Sequence, residues 1–221
     1  TTYYVGAYAT NSIGTDYGEE KSFVTKLQMN GTFTDSRDGQ TYEWVRIGNQ
    51  IWMAENLNYD QNSYGNDWCY DNDESNCNTY GRLYDWAAVM QGENSSSSNP
   101  SGVQGVCPDG WHVPSDEEWT ELENYVGNDG HSGSEGSALK STSGWNDNGN
   151  GTDNYGFTAL PSGYHNYDGY FYNIGYSGYW WTSTWYSVSD VWLRRLRYTN
   201  SDVDRHKRVK DYGYSVRCVK D

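Results

Sequence analysis

Four cysteines, four histidines and a late run of basic residues are the groups in this 221-residue chain that could bridge, hold a metal, activate a nucleophile or grip an anion. Cys69 and Cys77 bracket a short polar segment, Cys107 lies mid-chain and Cys218 lies near the end. Three pairings can be drawn. A Cys69–Cys77 clip with a Cys107–Cys218 bridge needs the least coincidence, and its larger loop of about 110 residues would contribute roughly 4 to 5 kcal/mol in the chain-entropy view. A four-cysteine zinc site would call for Cys-x-x-Cys knuckles, which are missing. Disulfides imply an oxidising, extracellular setting, on a cell surface or a phage virion surface. His112, His131, His165 and His206 share no triad or His-x-x-x-His spacing, so no enzyme chemistry is expected of them. Asp71-x-Asp73-x-Ser75 begins like a calcium loop, but Asn76 replaces the turn glycine and Arg82 stands where a bidentate Glu belongs. No cofactor or metal is expected, and a structural calcium has no support in the spacing.

The basic run is Arg194, Arg195, Arg197, Arg205, Lys207, Arg208 and Lys210, set in a chain of formal charge −15. Asp190, Asp202 and Asp204 are its expected partners across adjacent strands, an anionic ligand being the alternative. The overall acidic field argues against a general nucleic-acid partner. No window approaches the roughly 20 apolar residues of a membrane span, which argues against direct membrane insertion. The 22 Tyr, 11 Trp and 25 Gly against 4 Phe and 3 Met leave too few aliphatic side chains for a helical bundle. Such a composition suits a β-rich, loop-rich domain with an aromatic core.

These groups must be placed by short elements. Residues 1–26 read as a hairpin, with alternating Tyr3, Val5, Ala7 and Ala9, a turn at Asn11-Ser12-Ile13-Gly14 and a return strand at 21–25. The hairpin is expected to rest on the main domain or a neighbouring chain, since an open row of Tyr3, Val5 and Phe23 would invite edge pairing. Residues 27–34 read as a junction. Tyr42 to Ile47 and Ile51 to Met53 form a second hairpin around Gly48-Asn49-Gln50. Leu83, Trp86, Ala87 and Met90 are spaced as a helix over residues 80–90, and residues 92–105 as an exposed loop. Ser115 and Glu118 form a capping box opening a helix through Trp119, Leu122 and Val126, which Gly127 ends. Short strands and Gly-rich loops follow.

Five ordered motifs give the chain a family likeness: Trp52-Met53-Ala54-Glu55-Asn56-Leu57, Tyr80-Gly81-Arg82-Leu83-Tyr84-Asp85-Trp86, Cys107-Pro108-Asp109-Gly110-Trp111-His112-Val113-Pro114, Ala159-Leu160-Pro161-Ser162-Gly163-Tyr164 and Tyr214-Ser215-Val216-Arg217-Cys218. Over about residues 35–221 it resembles the FISUMP family, a paralogous bacterial surface domain. The helix start and closing Arg-Cys strand are also similar to the formylglycine-generating-enzyme branch of the C-type lectin fold. The resemblance implies an α+β fold in which two helices flank small antiparallel sheets, the termini meet, and a Cys near a helix bonds one in the last strand. The first hairpin resembles the end of a fibronectin type III or immunoglobulin-like sandwich, so the chain reads as part of a longer modular protein. Trp145-Asn146-Asp147 imitates the calcium-and-sugar motif of carbohydrate-binding C-type lectins, but lies some 70 residues before Cys218 rather than just ahead of the final strands.

After Glu135 the chain has no Glu, Gln or Met in 86 residues, although 11 Glu and 6 Gln precede that point. Tyr, Ser, Asp, Asn, His, Gly and Thr replace them, all encoded by codons reachable from AAC by changing adenines alone. Leu, Val, Ile and Arg are reachable too, whereas Glu, Gln, Met, Lys and Trp are not. Residues 164–212 therefore resemble the variable region of a diversity-generating-retroelement target protein. That likeness implies a non-enzymatic, receptor- or adhesin-type module for a protein or glycan ligand on another surface; the rival readings are a fixed-specificity carbohydrate-binding domain and a formylglycine-generating-type enzyme. The expected binding face is Tyr167, Tyr170, Tyr172, Tyr176, Tyr179, Trp185, Tyr186, Leu193, Arg195, Arg197, Asp202, Asp204, His206 and Arg208. Trp181, Trp192, Leu196 and Val216 are expected to pack beneath it. Along Trp192 to Tyr198 the period-2 pattern assigns Leu193, Arg195 and Arg197 to the outer side.

Overall fold

The computed structural model describes the backbone of residues 2–24 and 29–221, and the side chains of residues 6–21 and 29–221. In chain order its elements are β1 (Thr2–Val5), β2 (Tyr8–Thr10), β3 (Thr15–Tyr17), β4 (Lys21–Val24), β5 (Asn30–Thr34), β6 (Thr41–Ile47), β7 (Gln50–Met53) and β8 (Asp67–Trp68). Then come α1 (Glu74–Tyr80), β9 (Leu83–Tyr84), α2 (Trp86–Met90), β10 (Trp111–His112), α3 (Asp116–Val126) and α4 (Glu135–Leu139). The remaining strands are β11 (Ser162–His165), β12 (Phe171–Ile174), β13 (Ser177–Trp185), β14 (Asp190–Arg197), β15 (Asp204–Val209) and β16 (Val219–Lys220). Helices and strands are thus mixed, and the sheets are small and antiparallel.

The main sheet has the order β10-β16-β7-β6-β5, so the last strand sits between elements from the middle and the beginning of the domain. β6 and β7 meet at the two-residue turn Gly48-Asn49. Gly48 has φ 60°, and a Cβ there would meet the Tyr125 ring at 2.7 Å, so the turn and the packing both demand glycine. A second sheet, β13-β14-β15, carries most of the candidate face, and the β11–β12 hairpin stands beside it.

Alternation along the strands divides the core in two. Trp52 and Met53, consecutive on β7, enter different clusters, as do Trp180 and Trp181 on β13. One cluster gathers Met53, Tyr84, Trp86, Val89, Trp181, Val191, Leu193 and Val216; the other gathers Trp52, Trp119, Leu122, Phe157, Trp180 and Leu196. β13 and β14 are therefore covered on both faces, β13 being buried from Ser177 to Thr184. Between the clusters lies the fully buried Arg217, whose guanidinium donates to Asn56 Oδ1 and to the carbonyls of Phe157 and Thr158. Burial without a carboxylate partner pulls its pKa down to about 9.

The bridges Cys69–Cys77 and Cys107–Cys218 are both formed, and no cysteine is free among the described residues. Two disulfides are consistent with an oxidising, extracellular environment. The capping box at Ser115 and Glu118 is present with both of its bonds. No helix among the described residues is long and apolar enough to cross a membrane.

Several elements differ from the sequence reading. Residues 30–34, read as junction, form β5, which pairs with β6 from Asn30↔Val45 to Thr34↔Thr41. The helix expected over residues 80–90 starts only at Trp86, because the Asp85 side chain accepts from Ala88 N and caps it there; Leu83 and Tyr84 are a short strand. The polar segment between Cys69 and Cys77 contains the start of α1, capped by Asp73. The first hairpin has the expected turn, with Asn11 Oδ1 accepting from the amides of Ile13 and Gly14. Its described side chains, residues 6–21, are all exposed, and Tyr8 and Tyr17 meet each other 6.2 Å apart. They do not rest on the main domain, while the expected row of Tyr3, Val5 and Phe23 lies outside the described side chains.

Candidate binding face

The three-stranded sheet sets its residues in rows. On one side the rows are Ser177–Arg197, Tyr179–Arg195–Asp204, Trp181–Leu193–His206 and Trp185–Val191–Arg208. The sequence reading expected this side to face solvent, and in part it does not. Leu193 is 0% exposed and Tyr179 5%. Both belong to the cluster with Trp86, Tyr214 and Val216, because that cluster covers the centre of the sheet. The outward positions are those nearest the edge strand β15 and the open ends of the rows. Trp192, expected beneath the face, is half-buried on the opposite side, with the Arg205 guanidinium 3.5 Å from its ring centre.

The remaining expected residues divide. Arg195, Arg197, Asp204, His206 and Arg208 lie together, partly exposed, along β14 and β15. Tyr167, Tyr170 and Tyr172 are exposed on the neighbouring β11–β12 hairpin. Trp185 lies at the far end of the same side, half-exposed between Trp86 and Lys210. Tyr186 instead packs edge-on against Trp192, under the Lys207 ammonium, and Tyr176 packs against Tyr198. Asp202 is in the turn beside Gly136 of α4. Those three do not join the face.

Tyr164 and Tyr212 complete it, and the sequence reading missed both as site residues. Tyr164 makes ring contacts with Tyr172, Tyr179, Tyr212 and Tyr214 at 5.3 to 5.9 Å, while Tyr212 also meets Tyr167 at 5.7 Å. The result is a shelf of packed phenol rings, with Tyr179 and Tyr214 as its buried floor and Tyr167 and Tyr172 at its rim. Burial pushes the Tyr164 and Tyr212 hydroxyls above the usual phenol range, so at neutral pH they remain neutral donors and acceptors. Tyr164 closes one of the five family motifs, a signal that could have found it.

The charges are unevenly distributed. Arg195 and Arg197 share one carboxylate, Asp204, at 3.0 and 2.8 Å. Arg208 donates to the Lys207 carbonyl and has no carboxylate in ion-pair range among the described residues. His206 is held below the usual imidazole range by burial and then by Arg208, Arg195 and Arg197. The sequence expectation for the basic run is met for Arg195 and Arg197. Arg194 and Arg205 are different: they reach across to α3, where Arg194 pairs with Asp116 and Glu123 and Arg205 pairs with Asp116. Sequence reasoning missed this network, because its acids lie some 70 residues away.

A cleft of about 380 Å³, lined by Asp190, His206, Lys207, Arg208, Val209 and Tyr212, opens on the β15 side of this face. Among the described residues the one close grouping of potential metal ligands is Cys69, Glu74 and Cys77, and both of its sulfurs are consumed in a disulfide.

The model of the Fibrobacter succinogenes major domain matches residues 45–220, and all five motifs lie inside that span. No curated protein and no solved structure matches. The match covers most of the chain, so the chain belongs to the Fibrobacter succinogenes major domain family.

Proposed function

With that membership as premise, we propose that the domain is a non-enzymatic ligand-binding module of C-type lectin-like architecture whose C-terminal face is diversified. One observation carries the reading. Between Tyr164 and Tyr212 every exposed residue except Trp185 is of a type reachable from AAC by adenine changes. Ordinary protein surface is rich in Lys, Glu and Gln. Here the unreachable types are tucked in: Trp180 and Trp181 are buried, and Lys207 and Lys210 lie over the rings of Tyr186 and Trp185. A scaffold tolerates random substitution only where side chains do not carry the core, since large-to-small changes inside cost about 2 to 5 kcal/mol. Rigid tyrosines with adaptable Ser, Asn and Gly neighbours are also the composition of antibody paratopes.

The architecture is supported by β16 joining β7 and β10 in one sheet, by the flanking helices α2 and α3, and by the Cys107–Cys218 bridge. Engagement of the four cysteines in bridges favours a binder over an enzyme needing a reactive cysteine pair. The same bridges support an extracellular position, which this reading puts on a cell or a virion surface. Two measurements test the reading. The first is the sequence flanking the gene: a near-copy of the 3′ coding region beside a reverse-transcriptase gene, differing at adenines, is expected, and its absence removes the diversification. The second replaces Tyr167, Tyr170, Tyr172 and Arg208 with Ser and probes glycan and surface-protein arrays. Loss of every wild-type signal is expected, and unchanged binding would place the ligand elsewhere.

A further inference from the structure

We infer that the ligand of this face is anionic, specifically a carboxylated sugar, and that Arg208 is the residue that grips its carboxylate. The inference rests on the proposed binding face and assigns its ligand class. The first ground is charge. Three guanidiniums, Arg195, Arg197 and Arg208, stand on one side of the sheet against the single carboxylate Asp204, in a chain whose net charge is −15. Asp190, at the rim of the cleft, accepts from Ser187 and Ser189 through its Oδ2 at 3.0 and 2.9 Å and lies within Coulombic reach of Lys207 and Arg208, without an ion pair to either among the described residues. Like charges gathered this closely repel one another, an anion among them relieves that repulsion, and a planar guanidinium matches a carboxylate with two parallel hydrogen bonds.

The second ground is an unfilled donor capacity. Among the described residues only Nη1 of the Arg208 guanidinium is bonded, to the Lys207 carbonyl. His206 also lines this cleft, and its buried Nε2 has no hydrogen-bond partner among the described residues.

The third ground is shape. The cleft holds about 380 Å³, at the small end of small-molecule pockets, and Tyr212 forms one wall. Tyr212 leads edge-on to the exposed Tyr167, so a ring held at Arg208 would continue onto a phenol shelf. A small cleft with one flat phenol wall suits a sugar ring better than an extended acidic peptide. Basic side chains also guard the open edge of β15 against strand pairing. That role needs charge along the strand but neither a cleft nor tyrosines.

The test is affinity electrophoresis of the whole chain through gels containing alginate, neutral dextran or poly-L-glutamate. Wild type should be retarded by alginate, less so as salt rises, and Arg208→Gln should weaken retardation about tenfold or more. Lys220→Gln removes the same charge at an exposed site outside the face and should behave as wild type. Circular dichroism melts check that Arg208→Gln is folded; should it not be, Arg208→Lys, which keeps the charge but loses the fork, replaces it and should bind several-fold more weakly. Equal retardation of Arg208→Gln and wild type, no retardation by alginate, or stronger retardation by polyglutamate would each overturn the inference. Binding of a neutral glycan that Tyr167→Ser abolishes and Arg208→Gln spares would overturn the anion assignment while leaving the proposed face standing.

Discussion

Arg194 and Arg195 are neighbours on β14, yet they live in opposite electrostatic worlds. Arg194 is 1% exposed and spends its donors on Asp116, Glu123 and Thr120 of α3. Arg195 is partly open and shares Asp204 with Arg197. On the α3 side, burial would raise the Asp116 pKa, but hydrogen bonds from Arg205 and Arg194 outweigh it and hold the carboxyl below its ordinary value. Glu123 shows the opposite balance: burial outweighs Arg194 and its carboxyl is raised. One side of the sheet is thus a closed ionic lock between helix and strand. The other keeps positive charge in reserve. The same residue type therefore ties strand to helix on one side and sits part-exposed around one shared carboxylate on the other, and the sign of the next residue along the strand says nothing about which.

The comparison can be broken most severely at the lock. Arg194→Ala should cost about 3 to 5 kcal/mol in urea unfolding, because it leaves the partly buried Glu123 without its partner and Asp116 with Arg205 alone. Arg194→Met, which also empties the lock but keeps the volume, should cost less than the alanine. A loss under about 1 kcal/mol for Arg194→Ala would show the network to be ornamental. A second probe on the α3 side is pH. His112, 2% exposed, lies between Glu118 Oε1 at 2.6 Å and Asp221 Oδ1 at 2.7 Å. Burial alone would lower its pKa, but the bonds and charges of Glu118 and Asp221 prevail and raise it. Its contribution is complete below the unfolded value of about 6.5 and fades as pH rises through the higher folded value. Unfolding free energy should therefore fall above about pH 6.5, and His112→Asn should flatten that decline; an identical slope in the variant would remove His112 as its cause. The smallest effect belongs to the open side. Tyr167→Ser, Tyr170→Ser and Tyr172→Ser should each alter stability by no more than about 0.5 kcal/mol, read as the urea midpoint. A loss of several kcal/mol from any of them would make it core.

Local chemistry made much of this legible in advance. The Ser115–Glu118 capping box, the Gly48-Asn49 turn and both disulfides follow from residue type and spacing, and each is present. What failed was the side of β14. The alternation was read correctly, as Leu193 and Arg195 do share a side. Solvent was assigned to that side because its partners were unknown: the cover over Leu193 comes from α2 and the residues around Tyr214, remote in sequence. A strand buried on both faces gives no alternation to read. Tyr179 was misplaced for the same reason, and Arg194 was given strand partners rather than the helix acids it has. The short helix α2 was overextended because Leu83 fits a helical period while pairing as a strand with Trp68.

The position of β16 has a consequence for how the molecule is made. β7 pairs with β6 locally, but its other edge waits for Val219, which must find Trp52 and His112 at once. Contacts of such separation are slow to form. On the ribosome the edge of β7 would stay open until residues 164–212 and the strand that follows them had been translated. A substitution in that stretch that misfolds the chain before β16 arrives would leave the sheet unsealed, so synthesis itself would act as a filter on which changes the domain accepts.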